Sequence, residues 1–288
     1  MARPLVETIA DQLFFTTVFI SSANADYASS GTGFIINYPA EDNMLVPVLV
    51  TNKHVIAGAS AVTFTMPASA DGQPTGGGTQ LQISDFNESA WVGHPDPNVD
   101  IAVMPFARVL TAMTTAGGEP FYRGFGPEQL VTKDTAESLD AIEQVTMIGY
   151  PNGLFDQLSM LPIARRGQTA TPIFNDYNGL PAFLIDASVF PGSSGSPVVL
   201  YDRGTYTTRD GTTHVGSRLA LLGIVAAVHT RRVNGVVEMI STGTASFDDM
   251  IDLGIVFKAS AIQETVRDLF AKLGLELGGS TPVPEELE

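Results

Sequence analysis

The chain has 288 residues, 44% of them hydrophobic, enough to bury a sizeable core in one large domain or two packed halves; wholesale disorder is excluded. Lys and Arg total 15 against 31 Asp and Glu, a net charge of −16 that argues against nucleic acid and against an anionic membrane surface, since both need clustered cations. With no cysteine, disulfide frameworks, thiolate metal sites and cysteine nucleophiles are excluded, so a nucleophilic enzyme here would use oxygen or nitrogen.

The first apolar run, Leu13 to Ile20, is followed by Ala23-Asn24-Ala25 and has the outline of an export signal. Glu7 and Asp11 precede it, however, Arg3 is the only cation before it, and Thr16 and Thr17 interrupt it. Its aromatic and β-branched composition reads better as a strand. A cytoplasmic location is expected, with export as the alternative if the run is a signal. No apolar run approaches the roughly 18 residues of a membrane span.

Short β-branched runs bounded by Gly, Pro, Asn, Asp and Ser come next: Gly33–Tyr38, Val46–Thr51, Val62–Met66, Leu81–Phe86 and Ile101–Phe106. Ala70–Gly78 reads as a loop. The stretch from Arg108 to Glu143 is poorer in strand pattern and reads as a connection with a short helix over Glu128–Leu139. The pattern resumes with Val145–Tyr150, Phe183–Ala187, Val198–Tyr201, Leu219–Val228, Val236–Ile240 and Ile255–Phe257. Many short strands with turn signals between them predict an all-β sandwich or barrel. Ser260 and Gln263 have the spacing of a capping box, after which Ile262, Val266, Leu269, Phe270 and Leu273 share one face and Gly274 supplies the stop. Pro282 to Glu288 reads as a polar tail, and Leu287-Glu288 has the look of a cloning remnant.

The stretch with most chemistry is Phe190-Pro191-Gly192-Ser193-Ser194-Gly195-Ser196-Pro197-Val198, a tight turn that presents a serine at the start of a strand. The amides of Gly192 and Ser194 can form a two-donor oxyanion hole beside the Ser194 hydroxyl. Alone, such a fragment is usually just a turn. A serine nucleophile also needs a base, and only His54, His94, His214 and His229 exist. His54 follows the strand Leu49-Val50-Thr51 where a turn begins, and Asp100 opens the strand Ile101-Ala102-Val103 that could hold an orienting carboxylate. Asp96 competes for that role, but Pro95 and Pro97 flank it and suggest an exposed turn. The other three histidines read as surface or loop residues, and no His-Glu-x-x-His spacing supports a metal. No cofactor is expected.

Together, Gly31-Thr32-Gly33-Phe34-Ile35, Thr51-Asn52-Lys53-His54-Val55, Asp100-Ile101-Ala102-Val103 and Gly192-Ser193-Ser194-Gly195-Ser196-Pro197 resemble, in order and spacing, the signature of trypsin/chymotrypsin-like serine proteases. The closest likeness is to the bacterial trypsin-like branch with its Deg-type members, and it covers about residues 14–258. Ile148-Gly149-Tyr150-Pro151-Asn152-Gly153 and Leu222-Gly223-Ile224-Val225 sit where that branch carries similar segments. The resemblance implies two six-stranded antiparallel Greek-key barrels with the site in the cleft between them, plus the C-terminal helix. The expected division is an N-terminal barrel over 1–110 with His54 and Asp100, a connection over 111–143, a C-terminal barrel over 144–258 with Ser194, the helix over 259–274 and a tail over 275–288.

The resemblance further implies that Ser194 attacks a scissile carbonyl, His54 serves as general base and then acid, Asp100 orients His54, and the Gly192 and Ser194 amides hold the oxyanion. Pocket walls would come from Ser188, Val189 and Phe190 with Ala226, Ala227 and Val228. No acid stands at the pocket base, and Val228 narrows its mouth, which favours small or medium aliphatic side chains over Lys or Arg. The basic residues Arg231 and Arg232 after His229 offer the alternative of an acidic preference. Ser193 stands where animal digestive members carry an aspartate that pairs with a newly cut N-terminus, so activity without trimming is expected. Ala226 stands where many members carry a serine that also bonds the triad carboxylate. The partner would be an extended peptide or protein, which leaves room for a regulatory protein. The alternatives are a catalytically latent or idle protease-shaped binding module and an esterase, although Ser196 breaks the Gly-x-Ser-x-Gly elbow and the order of the triad differs. The residues after Gly274 are too few for the peptide-binding module that Deg-type enzymes append.

Overall fold

The computed structural model describes residues 4–40, 44–237 and 243–275. The N-terminal half runs α1 (Ile9–Leu13), β1 (Thr17–Ala23), β2 (Ala28–Pro39), β3 (Leu45–Thr51), α2 (Lys53–Ile56), β4 (Ala61–Ala70), β5 (Gln73–Ser84), β6 (Val92–Gly93), β7 (Ala102–Pro105) and α3 (Ala107–Thr115). After α4 (Lys133–Glu137) come β8 (Gln144–Gly149), β9 (Ile163–Thr169), β10 (Ala182–Asp186), β11 (Pro197–Asp202), β12 (Thr205–Thr207), β13 (Thr213–Val215), β14 (Arg218–Val237), β15 (Gly243–Lys258) and α5 (Ala259–Leu273).

The first group forms a seven-stranded antiparallel sheet in the order β5-β4-β1-β2-β3-β7-β6. The second closes into a six-stranded barrel, β10-β15-β14-β11-β8-β9, and β12 and β13 form a separate hairpin. The fold is therefore mostly β, with a double-barrel arrangement and a C-terminal helix. The seventh strand of the first sheet, beyond the expected six, is the two-residue β6, which delivers the chain into the loop that carries Asp100.

Alternation along the strands divides the interior into three cores. On β2, Ile35 points into a core that it shares with Leu49, Phe64 and Met104, whereas Phe34 and Ile36 point to the opposite side. There they meet Ile148, Val199 and Leu221 of the second barrel and Ile262, Val266 and Phe270 of α5. Val198 and Leu200 turn instead into the second barrel's own core with Val145, Phe183 and Ile185. Both faces of β2, β3 and β11 are thus buried, which is why they read as continuous apolar runs rather than alternating ones. The middle core joins the two halves and sets α5 against both.

Several expectations change. The run Leu13–Ile20 divides: Thr8 and Asp11 make a capping box for α1, and the strand starts only at Thr17. Ala70–Gly78 is not a loop, because Asp71 and Gly72, both at positive φ, close a two-residue hairpin that pairs Ala70 with Gln73. The single helix over Glu128–Leu139 is instead a 3-10 turn at Pro127–Gln129 and then α4, started by a Thr132–Thr135 box. Helix α3 was not foreseen, and the boundary at residue 110 falls inside it. At α5 the helix begins at Ala259 with Lys258 at the cap position, whose side chain bonds Asp176 rather than the helix end, so the Ser260–Gln263 box does not form. Gly274 at φ +66 does end the helix, but Leu273 is 46% exposed rather than buried with its expected neighbours. Residues 238–240 of the expected strand Val236–Ile240 and the polar tail lie outside the described residues.

Tyr38 packs on Phe270 of α5, and its hydroxyl is buried without a hydrogen-bond partner among the described residues. Burial pushes the phenols of Tyr38 and Tyr150 above the ordinary tyrosine range. A raised folded-state pKa means stability that is fully present below about pH 10 and is lost as pH climbs beyond it. Tyr38→Phe is expected to raise stability at neutral pH by about 1 kcal/mol and to flatten that alkaline loss. Denaturant melts between neutral and strongly alkaline pH measure both effects; a destabilised variant at neutral pH would refute the account.

Candidate active site

Strand β3 ends at Thr51, and the next three residues all turn toward one loop. Val55 of α2 packs so closely on β2 that a Cβ at Gly31 would lie 2.6 Å from it, which accounts for glycine there. His54, whose side chain is 49% exposed, presents Nδ1 to Asp100 Oδ2 at 2.5 Å. The second carboxylate oxygen, Oδ1, accepts the main-chain N–H of His54 at 3.1 Å. An ionised carboxylate only accepts, so Nδ1 carries the proton and Nε2 offers its lone pair. Asp96 does not share this arrangement: its carboxylate takes the main-chain and side-chain N–H groups of Asn98 in an exposed turn.

Ser194 lies in the turn before β11, between Gly192 and Gly195, both at positive φ. Gly195 is needed for a second reason, since any Cβ would overlap the Thr32 carbonyl. In this turn Ser193 N donates to Phe190 O at 3.0 Å, Gly195 N to Val225 O at 2.8 Å and Ser196 N to Ser193 O at 3.0 Å. The amides of Gly192 and Ser194 have no acceptor among the described residues, which leaves two adjacent donors free for a developing oxyanion. Asn152 N holds the Pro191 carbonyl at 2.6 Å, which turns the Gly192 N–H the opposite way across the same planar peptide. The Ser194 hydroxyl donates to Ala226 O at 3.4 Å, and no hydrogen bond joins it to His54. His54 and Asp100 are brought together; Ser194 faces elsewhere.

Sequence reasoning assigned no role to Thr32, a fully buried residue of β2. Its hydroxyl donates to Gly192 O at 3.0 Å and accepts from Tyr150 N at 3.2 Å, and its main-chain N–H donates to Ser194 O at 2.8 Å. Thr32 therefore ties the first sheet to the serine turn and to the Tyr150–Gly153 turn at once. Its only signal was its place in Gly31-Thr32-Gly33. Thr32→Val is expected to cost about 1–3 kcal/mol by stranding buried partners, and to lower kcat through the displaced turn. Denaturant melts alongside kinetics check this, and unchanged values in both would refute it.

Of the expected pocket walls, Val189 is buried in the second barrel's core, Ser188 is half-buried and Ala226 is 5% exposed with its carbonyl on Ser194. Phe190 is 38% exposed, and Arg165 stacks over its ring at 4.7 Å. The side chains of Ala227, Val228, His229, Arg231 and Arg232 lie outside the described residues. His214 is exposed and stacks on Tyr206. His94 lies in the loop after β6 but is only 7% exposed, and Glu264 Oε2 of α5 stands 3.6 Å from its Nε2. Among the described residues no three His, Asp or Glu side chains gather as a metal site would require, and no helix is long and apolar enough to cross a membrane.

Residues 31–206 match the trypsin-like peptidase domain. No curated protein matches the chain. Among solved structures, the inactive form of the Rv3671c protease is similar at 20% identity and a TM-score of 0.44, over 95% of this chain and 98% of that one. The serine endoprotease from Yersinia pestis is similar at 15% identity and a TM-score of 0.45, over 96% of this chain and 70% of that one.

Proposed function

Since the chain belongs to the trypsin-like peptidase family and is a serine-type peptidase, we propose that it cleaves extended peptide or protein segments through Ser194, His54 and Asp100. The observation that carries this reading is the 2.5 Å contact of His54 Nδ1 with Asp100 Oδ2, which leaves Nε2 free to act as a base. Ser194 Oγ attacks the scissile carbonyl while Nε2 takes its proton. The oxyanion falls to the Gly192 and Ser194 amides, and Asp100 stabilises the imidazolium. Protonated Nε2 then gives its proton to the leaving amine, and water, deprotonated by the same nitrogen, hydrolyses the acyl-enzyme.

In this reading Ser194 Oγ leaves Ala226 O and turns to His54 Nε2 before attack. A phosphonofluoridate probe tests the assignment: labelling of the wild type that is absent in Ser194→Ala supports it, and no Ser194-dependent labelling under any condition overturns it. Ester and peptide panels then separate esterase from peptidase action.

For the residue before the cut, Ser188, Val189, Phe190 and Ala226 supply no carboxylate, so aliphatic side chains of small or medium size should be preferred over Lys and Arg. A methylene in an apolar pocket discriminates by about 10- to 200-fold at most, so the preference will be graded. A peptide-library cleavage profile dominated by Lys or Arg would refute it.

A further inference from the structure

We propose that Lys53 is a positioning residue, one that fastens the loop bearing Asp100 so that the carboxylate meets His54 in register; this rests on the triad proposed above. Lys53 Nζ donates to His94 O at 2.9 Å and to Asp96 O at 3.0 Å, with its stem laid across Gly93. Its neighbour Asn52, fully buried, donates to Asp100 O at 2.6 Å, and His54 takes both carboxylate oxygens. Three consecutive side chains therefore grip the short span 93–100 at both ends and at its functional group.

Two features separate this from an ordinary surface lysine. In a chain with 31 carboxylates, the ammonium is spent on two main-chain carbonyls, contacts that direct a loop rather than balance charge. Asp100 also receives no hydroxyl donor among the described residues, only the two N–H groups of His54, so its aim depends on how its backbone is held. The loop's far side is supported independently: His94 Nδ1 accepts Asp96 N–H at 3.1 Å, and Val99 and Ile101 enter the core with Ile262 and Val266 of α5. That support fixes the loop's depth, and Lys53 fixes its position relative to the helical turn that carries His54.

The test compares Lys53→Met, which keeps the stem, with Lys53→Arg, which restores donors. Lys53→Met is expected to lower kcat about 10- to 100-fold with KM within about twofold, because misplacement by an ångström costs that much. In the Ser194→Ala background it should broaden or shift the far-downfield NMR resonance of the His54 Nδ1 proton, and Lys53→Arg should recover both signals. A Lys53→Met protein with unchanged kcat and resonance, whatever its melting temperature, overturns the proposal. Should Lys53→Met not fold, Gly93→Ala decides, since its Cβ would press on the Lys53 stem at 3.0 Å and displace the amine: an unmoved His54 resonance then overturns it. If the resonance moves as expected but the wild type shows no Ser194 labelling, the clamp stands and the peptidase triad fails. Normal labelling with an unmoved resonance has the opposite meaning.

Discussion

Ser194→Ala is expected to reduce peptide turnover by about 10⁴- to 10⁶-fold while leaving the melting temperature and KM nearly unchanged. The hydroxyl removed makes one long contact, 3.4 Å to Ala226 O, so stability loses little. Chemistry loses the attacking atom. The residual rate would come from the unused amides of Gly192 and Ser194, which need no nucleophile on the protein to polarise a bound carbonyl. Steady-state kinetics on a cleaved peptide, with circular dichroism as the folding control, decide the matter. A loss below about tenfold would remove Ser194 from the mechanism.

The second large effect is Asp100→Asn, expected to lower kcat by about 10⁴-fold with the fold intact. The geometry explains why so small a change matters. The main-chain N–H of His54 donates to Asp100 Oδ1, so an asparagine would set its carbonyl oxygen there and turn its NH₂ toward His54 Nδ1. Nδ1 would have to accept, the ring proton would move to Nε2, and the base facing the cleft would be blocked. Asp96→Asn serves as the control, since its carboxylate serves only Asn98 and its loss should leave kcat unaltered. Equal losses in the two variants would overturn this division of roles.

Much of the strand framework was legible because β2, β3 and β11 are buried on both faces, so each left an unbroken apolar run. The Ile163–Thr169 strand was not. It reads Ile-Ala-Arg-Arg-Gly-Gln-Thr, and its side chains are largely exposed; the strand exists because β8 and β10 pair with its backbone, which no side chain announces. The β4–β5 hairpin was missed for a related reason, since small and polar residues from Ala70 to Gly78 hide a turn whose conformation depends on Asp71 and Gly72 alone. The C-terminal helix was read from its apolar period, and it starts at Ala259 with Lys258 rather than Ser260 at its cap.

For the candidate site, His54, Asp100 and Ser194 were expected from the resemblance of four ordered motifs to trypsin-like proteases, with few histidines to compete for the base. What the linear order could not carry was aim. That Asp100 accepts twice from His54 and that Ser194 rests on Ala226 O depend on torsions and distances of tenths of an ångström. So do the roles of Thr32, Lys53 and His94, which act through main-chain groups 41 to 162 positions away along the chain or through a covering helix. Apolar period and chemical type are local properties that a sequence displays directly. Which carbonyl a hydroxyl or an ammonium reaches is decided only when two sheets and α5 close on a shared core.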